Sequence, residues 1–448
     1  MLVQFNSVFL TNKNNYNFQG KRKENIEQLI NEKRMVDSFI RFVKIDSGSN
    51  EKRSESKIPS TDCQMNFANI LKEELHKRNL EDIEIDEHGI LTATLKGNTG
   101  ENTPVIGLLA HLDTSPDAPN KNVKPQIHDY NGGDIKLAKG AVITAEELKD
   151  HVGKKIITSS GKTLLGADDK AGIAEILEAI DVFMENSHLK RPDIRIAFTP
   201  DEETGMGVDK FNIKKFGADL AYTVDGDAPH LLQNETFNAF NPTIVITGKN
   251  THTGYAYKMI NSLKIAQKFL NAIPKKQAPE TTKGKQGYFH LDETAGKVPK
   301  TTIKMLVRDF DYNKAQSRVE FLKSLALKIQ KENPGCTITI DPKERYLNMK
   351  RYLDEFPEVV NYAEKGIRRS GLIPKATFVR GGTDGSNLSK RGLLTPNIGA
   401  GMQNIHSKTE FLPIEDMKKC AENIINILMV WAENSNKIMP KILARRQI

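Results

Sequence analysis

Residues 164–176 carry a loop into two adjacent carboxylates and then into a helix, and this junction constrains the chain more than any other stretch. It reads Leu164-Leu165-Gly166-Ala167-Asp168-Asp169-Lys170-Ala171-Gly172-Ile173-Ala174-Glu175-Ile176. Beyond the carboxylates, Ile173, Ile176, Leu177, Ile180, Phe183 and Met184 fall at the spacing of one buried helical face. Asp168 therefore stands at or just before a helix N-terminus, where either Asp168 or Asp169 could be a simple N-cap. A second use for them comes from the rest of the chain, which repeatedly ends a short apolar run on His, Asp or Glu.

The run 105–110 has the length and content of a buried strand and ends on His111-Leu112-Asp113. Residues two apart in an extended chain share a face, so Asp113 lies beside His111, where a carboxylate can fix an imidazole and aim it at a metal. The run 194–199 stops at Pro200 and leads into Asp201-Glu202-Glu203, and the run 220–224 leads into Asp225-Gly226-Asp227. Three strands thus deliver acids or imidazole past their carboxyl ends, the edge on which open α/β sheets build sites. The polar connection between residues 117 and 161 is too long for a turn and reads as a wall or flap over that edge.

Around this centre the chain alternates helices and strands. Helices are expected from residue 26 and through Phe67, Ile70, Leu71 and Leu75, with strands at 83–85 and 91–95. The segment 237–345 changes rhythm: strand 243–247, helix 259–273, strands 288–291 and 302–307, a helix through Val319, Leu322, Leu325 and Ile329, and strand 337–340. That β-α-β-β-α-β order is a ferredoxin-like split unit, read as a small inserted α+β domain. The α/β pattern then resumes, with a helix at 357–370, a strand at 376–379, the glycine-rich Arg380-Gly381-Gly382-Thr383-Asp384-Gly385, and a terminal helix at 414–433. The expected divisions are an N-terminal extension at 1–30, disordered; a first catalytic part at 31–236; the insertion at 237–345; and a second catalytic part at 346–440.

Composition excludes several classes. With 38% hydrophobic and 27% charged residues the chain is globular, and no apolar run approaches the roughly 20 residues of a membrane span. Val8-Phe9-Leu10 is too short for a secretory h-region. Cys63, Cys336 and Cys420 are odd in number and widely spaced, which points to a reducing compartment, the cytoplasm. The net charge of +8 is interleaved with acids, and the cluster of Lys275, Lys276, Lys283, Lys285, Lys297 and Lys300 lacks interspersed aromatics. Neither nucleic acid nor membrane is expected as a partner.

The candidate ligands are His111, Asp168, Glu203, Asp225 and His406, with Asp113 and Glu202 beside them. Imidazole plus carboxylate suits zinc, and the lack of Cys argues against a purely structural site. If Asp168 bridges two ions, His111 and Asp225 could complete one and Glu203 and His406 the other, leaving the open position that hydrolysis needs. Taken singly, each has an ordinary reading: His406 as a surface imidazole, Glu202-Glu203 as a solvated turn. Spacing does not distinguish Glu202 from Glu203.

His111-Leu112-Asp113-Thr114-Ser115-Pro116-Asp117, the Gly166–Ile176 stretch, Thr199-Pro200-Asp201-Glu202-Glu203, Tyr222-Thr223-Val224-Asp225-Gly226 and Arg380–Gly385 together resemble the two-zinc aminoacylase and carboxypeptidase family of metallopeptidases, in matching order over about residues 35–435. The resemblance implies a mixed-sheet zinc-hydrolase catalytic domain with the insertion as its lid, two zinc ions per subunit, and hydrolysis of the N-terminal bond of tripeptides. It implies Asp168 as the bridging ligand, Asp113 orienting His111, Glu202 as general base, and His252 in the lid as a donor to the tetrahedral oxyanion. Arg308 and Arg380 suit a peptide's C-terminal carboxylate, and Asn238 is a further substrate contact; Arg308 could equally pair with Asp309 or Asp311. Short peptides are the expected substrates, and a homodimer is left open. The sequence departs from the family pattern at Thr253-Gly254-Tyr255-Ala256, at Ser407 after His406, and at Asp227-Ala228-Pro229-His230. A dipeptidase, an N-acyl amino acid hydrolase and a catalytically silent binder on the same scaffold are the alternatives; an intact Glu202 speaks against the last.

Overall fold

The computed structural model describes residues 25–100 and 102–446. The expected N-terminal extension lies, up to residue 24, outside the described residues.

An eight-stranded mixed sheet forms the larger unit, in the order Glu81–Ile85, Leu91–Leu95, Ile194–Thr199, Ile106–His111, Leu220–Gly226, Asn397–Gly399, Leu231–Thr236 and Lys375–Val379. Ile106–His111 is buried along its whole length and runs parallel to both neighbours. A strand covered on both faces needs such a continuous apolar run. In register, His111 lies opposite Thr199, so the carboxyl ends of adjacent strands come level.

Helix Ala167–Glu185 packs on this centre, with Glu32–Val43 and Ile414–Glu433 against its outer side. Its burial is therefore not confined to one face: Ala171, Ala174 and Ala179 are as enclosed as Ile173 and Ile176, while Met184, expected inside, is 42% exposed. The helix approaches Leu220–Gly226 at backbone distance. A Cβ on Gly172 would lie 2.0 Å from the carbonyl oxygen of Val224 and 2.5 Å from Asp169 Oδ1. Gly172→Ala must push the helix off the strand, so a loss of about 2–3 kcal/mol or more is expected, read as a lower urea midpoint at unchanged m-value.

The smaller unit has its own core, built on Ile244, Ile246, Phe269, Ile303 and Leu322. Its antiparallel sheet runs Thr337–Asp341, Thr243–Thr247, Lys300–Asp309, with Tyr288–Lys297 on the far side of Lys300–Asp309. This is the ferredoxin-like strand arrangement, with helices Ser262–Asn271 and Tyr312–Glu332. The hairpin strand is longer than its apolar start at Tyr288 indicates, because Leu291 to Lys297 is exposed and shows no alternation. Two short strands, Asn238–Phe240 and Glu344–Tyr346, pair with each other where the chain enters and leaves this unit. The terminal helix is followed by another, Ser435–Arg446, which carries Pro440 within it and has no clear apolar period.

The long connection after residue 117 is packed rather than loose. Strands Gln126–Asp129 and Lys155–Thr158 form a small sheet with Phe411–Pro413, over a core that includes Tyr130, Ile156 and Phe411. It stands as a wall beside the loop bearing His406. Among the described residues, no helix is long and apolar enough to cross a membrane.

Candidate metal centre

The chain reverses at Gly166, which has φ +79°, and Asp168 and Asp169 keep non-helical backbone angles before the regular helix begins. This turn brings the Asp168 carboxylate back over the sheet edge. Its Oδ1 lies 2.8 Å from His111 Nε2 and its Oδ2 lies 3.2 Å from His406 Nε2. One carboxylate thus faces two imidazoles with separate oxygens. Asp225 Oδ1 is 3.6 Å from the same nitrogen of His111, and Glu203 Oε2 is 2.8 Å from that of His406. Asp169 is used differently: it accepts hydrogen bonds from the backbone N–H groups of His111, at 3.1 Å, and Gly172, at 3.2 Å. Asp169 is therefore the helix cap, and Asp168 is free to face the imidazoles.

The far ring nitrogens are also held. His111 Nδ1 lies 3.0 Å from the carbonyl oxygen of Asp113 and 3.4 Å from its Oδ1. The Asp113 carboxylate accepts the backbone N–H groups of Glu202 and Glu203, at 3.0 and 3.3 Å, so it ties the acidic turn to the histidine strand. His406 Nδ1 lies 3.0 Å from Asp117 Oδ2. Buried Asp201 fixes the turn from beneath, accepting from Ser60 N at 2.6 Å and Gln64 Nε2 at 2.7 Å. Glu202 Oε1 accepts from Asp384 N at 3.3 Å.

Crowded negative charge dominates the electrostatics. Burial, then the charge of Asp168, raises the carboxyl pKa of both Glu203 and Asp225. Burial, then Asp225, raises that of Glu202. Asp168 is also opposed by burial, yet His111 and His406 hold it below the usual carboxylate range. Burial opposes charging of both imidazoles, and the facing carboxylates nevertheless lift their pKa values. Glu203 Oε1 is buried with no hydrogen-bond partner. The donor atoms of His111, Asp168 and Glu203 lie within 4.8 Å of one another, as do those of His111, Asp169 and Asp225. An oxygen left unpartnered, imidazoles oriented through their far nitrogens, and an excess of anionic oxygens without Cys fit a borderline divalent cation.

A model of peptidase family M20/M25/M40 matches residues 164–429, more than half of the chain. The chain belongs to that peptidase family. It is therefore a metal-dependent hydrolase of the M20 type. It is 42% identical over 407 residues to the peptidase T of Caldanaerobacter subterraneus subsp. tengcongensis, covering 89% of this chain and 99% of the relative. In fold it resembles a tripeptidase from Staphylococcus aureus, with TM-score 0.72, 23% identity and 90% and 100% of the two chains covered. It likewise resembles the aminopeptidase PepT from Bacillus cereus, with TM-score 0.71, 24% identity and the same coverage.

The remaining site candidates of this M20 chain do not join the cluster. His252 is exposed on the smaller unit, where its Nδ1 accepts from Gly254 N at 3.1 Å. Asn238 is buried and spends its amide on the chain crossing: Nδ2 donates to the carbonyls of Asp309 and Phe310, and Oδ1 accepts from Asn348 N. Arg308 donates through Nη1 to the carbonyls of Phe240 and Val307 and to Asn241 Oδ1. Arg380 donates to the carbonyls of Gly284 and Gln286 and to Thr282 Oγ1, clasping a loop of the smaller unit. Three further carboxylates around the site, Asp117, Asp384 and Glu410, are not distinguished by the sequence pattern. Asp117 and Asp384 lie inside the motif stretches, and Glu410 lies four residues after His406, but none of them ends an apolar strand.

Proposed function

We propose that this chain is a dizinc tripeptide aminopeptidase of the cytoplasm, with Asp168 bridging, His111 and Asp225 completing one ion site, and Glu203 and His406 the other. The observation that carries the reading is the division of the Asp168 oxygens between two imidazoles, each with its own second carboxylate. The names of relatives and fold neighbours, peptidase T and tripeptidase, support the substrate class. Three free cysteines support the reducing compartment.

When bound, the two ions supply Lewis acidity, lowering the pKa of water and polarising the first peptide carbonyl. Glu202 is the general base. It stands on the same turn as Glu203, held by the Asp113 carboxylate and by Asp384 N. Burial lifts its pKa, which suits a group that takes a proton from water and keeps it until the leaving amine can receive it. Asp113 keeps His111 and the Glu202 turn in register. His252 is the oxyanion donor once the smaller unit brings it to the cluster. Arg308 and Arg380 sit at the junction of the two units, where selection for a short peptide's C-terminal carboxylate would exchange backbone carbonyls for substrate oxygens.

N-terminal residue release is measured on matched di-, tri- and tetrapeptides with zinc-loaded and chelator-stripped protein. The expected result is metal-dependent turnover concentrated on tripeptides. Preferred turnover of dipeptides or acylated amino acids would remove the tripeptidase assignment, and no turnover with zinc bound would favour a silent binder.

A further inference from the structure

Glu410 is 1% exposed and touches neither imidazole of the centre. Its Oε2 accepts the N–H groups of Leu165, at 2.7 Å, and Gly166, at 2.8 Å, and its Oε1 accepts that of Asp168, at 3.0 Å. These donors converge because Gly166 is left-handed, which turns successive N–H groups into one concavity ahead of the 19-residue helix Ala167–Glu185. Glu410 is the anion that fills it. The loop on which it sits is closed at its base, where Gln403 and Phe411 exchange backbone hydrogen bonds at 3.0 Å each. His406 lies within that loop at φ +60°. Phe411–Pro413 then pairs with Lys155–Thr158, fixing the loop to the small wall sheet.

We propose that Glu410 is a positioning residue that sets the Asp168 carboxylate against His406, and so builds the ion site of His406 and Glu203 more than that of His111 and Asp225. This rests on the two-ion reading above. The physical reason for selectivity is connectivity. His111 and Asp225 lie at the carboxyl ends of two adjacent parallel strands of the mixed sheet, and their relative positions are set by strand pairing. His406 has no strand beneath it. Its distance from Asp168 Oδ2, 3.2 Å, depends on one closed loop holding His406 directly and Asp168 through the Glu410 carboxylate. Glu410→Gln keeps the shape but replaces one acceptor oxygen by an NH2 that faces backbone donors, so the turn around Gly166 must open and Asp168 must shift. Loss of a ligand's supporting hydrogen bonds typically weakens metal binding by about 10- to 100-fold.

Full-length wild type and Glu410→Gln are stripped by chelator and titrated with zinc, reading bound metal by equilibrium dialysis. Wild type is expected to take two ions. The variant is expected to weaken the ion at His406 and Glu203 at least about 10-fold more than the ion at His111 and Asp225. Its kcat should fall at low free zinc and recover as zinc is raised, with KM unchanged, and the stripped variant should show a lower urea midpoint, because buried backbone N–H groups of the turn lose their acceptor. Two ions bound with wild-type affinity would overturn the proposal. So would equal weakening of both ions, because that marks a general scaffold role. Should Glu410→Gln fail to fold, Glu410→Asp keeps the charge but shortens the reach, and the same selective loss is required of it. A wild type that binds a single ion overturns the two-ion reading itself, before the variants are compared.

Discussion

Glu202→Gln is expected to lower kcat on a tripeptide by about 10²- to 10⁴-fold, the range that general-base catalysis spans, with bound zinc unchanged. Gln is isosteric and its carbonyl oxygen can still accept the Asp384 N–H that now holds Glu202 Oε1 at 3.3 Å. The turn is fixed through backbone groups, by Asp113 from one side and Asp201 from the other, so the substitution leaves its path intact. What is lost is the ability to take a proton. The neighbouring change separates base from ligand: Glu203 Oε2 lies 2.8 Å from His406 Nε2, so Glu203→Gln should lose metal as well as rate. Turnover and zinc content measured together on both variants decide the assignment. Unchanged turnover in Glu202→Gln would sink the mechanism, and zinc loss from Glu202→Gln alone would exchange the two roles.

Much of this arrangement can be read from residues, and the parts that cannot share a physical cause. Ile106–His111 and Leu220–Gly226 announce themselves because a strand buried on both faces must be apolar throughout and can become polar only at its end. That same end is where His111 and Asp225 face Asp168. The ferredoxin-like unit is legible from element order, whereas Asn238–Phe240 and Glu344–Tyr346 are too short to carry a period. Adjacent Asp168 and Asp169 look alike in sequence; only the left-handed turn at Gly166 and the N–H groups that Asp169 caps separate them. Glu410 is silent for a related reason, since its partners are backbone amides, which every residue possesses. Arg308 and Arg380 show the opposite limit. A long guanidinium side chain advertises anion binding, yet here each is occupied by carbonyl oxygens of the junction between units.

Asp168→Asn should have the largest effect on the centre: bound zinc falling from two ions toward one, and kcat lower by about 10³-fold or more, as Lewis acidity is lost and Glu202 is left without an acidified water to deprotonate. The carboxylate presents one oxygen to each imidazole, at 2.8 and 3.2 Å. An Asn can present only one oxygen, and its NH2 would face the other site with a donor where a ligand lone pair is needed. The substitution also removes the negative charge lying between the two imidazoles. Nearby carboxylates do not replace it. Asp169 is committed to the N–H groups of His111 and Gly172, and Asp225 lies 3.6 Å from the single imidazole it faces. The backbone holding the residue should survive, because the Asp168 N–H to Glu410 bond involves no side-chain atom of Asp168. Metal content and turnover should therefore fall while the urea midpoint of the stripped protein stays near that of stripped wild type. Retention of two ions by Asp168→Asn would mean that Asp168 does not bridge, and would leave the two histidines to serve separate sites.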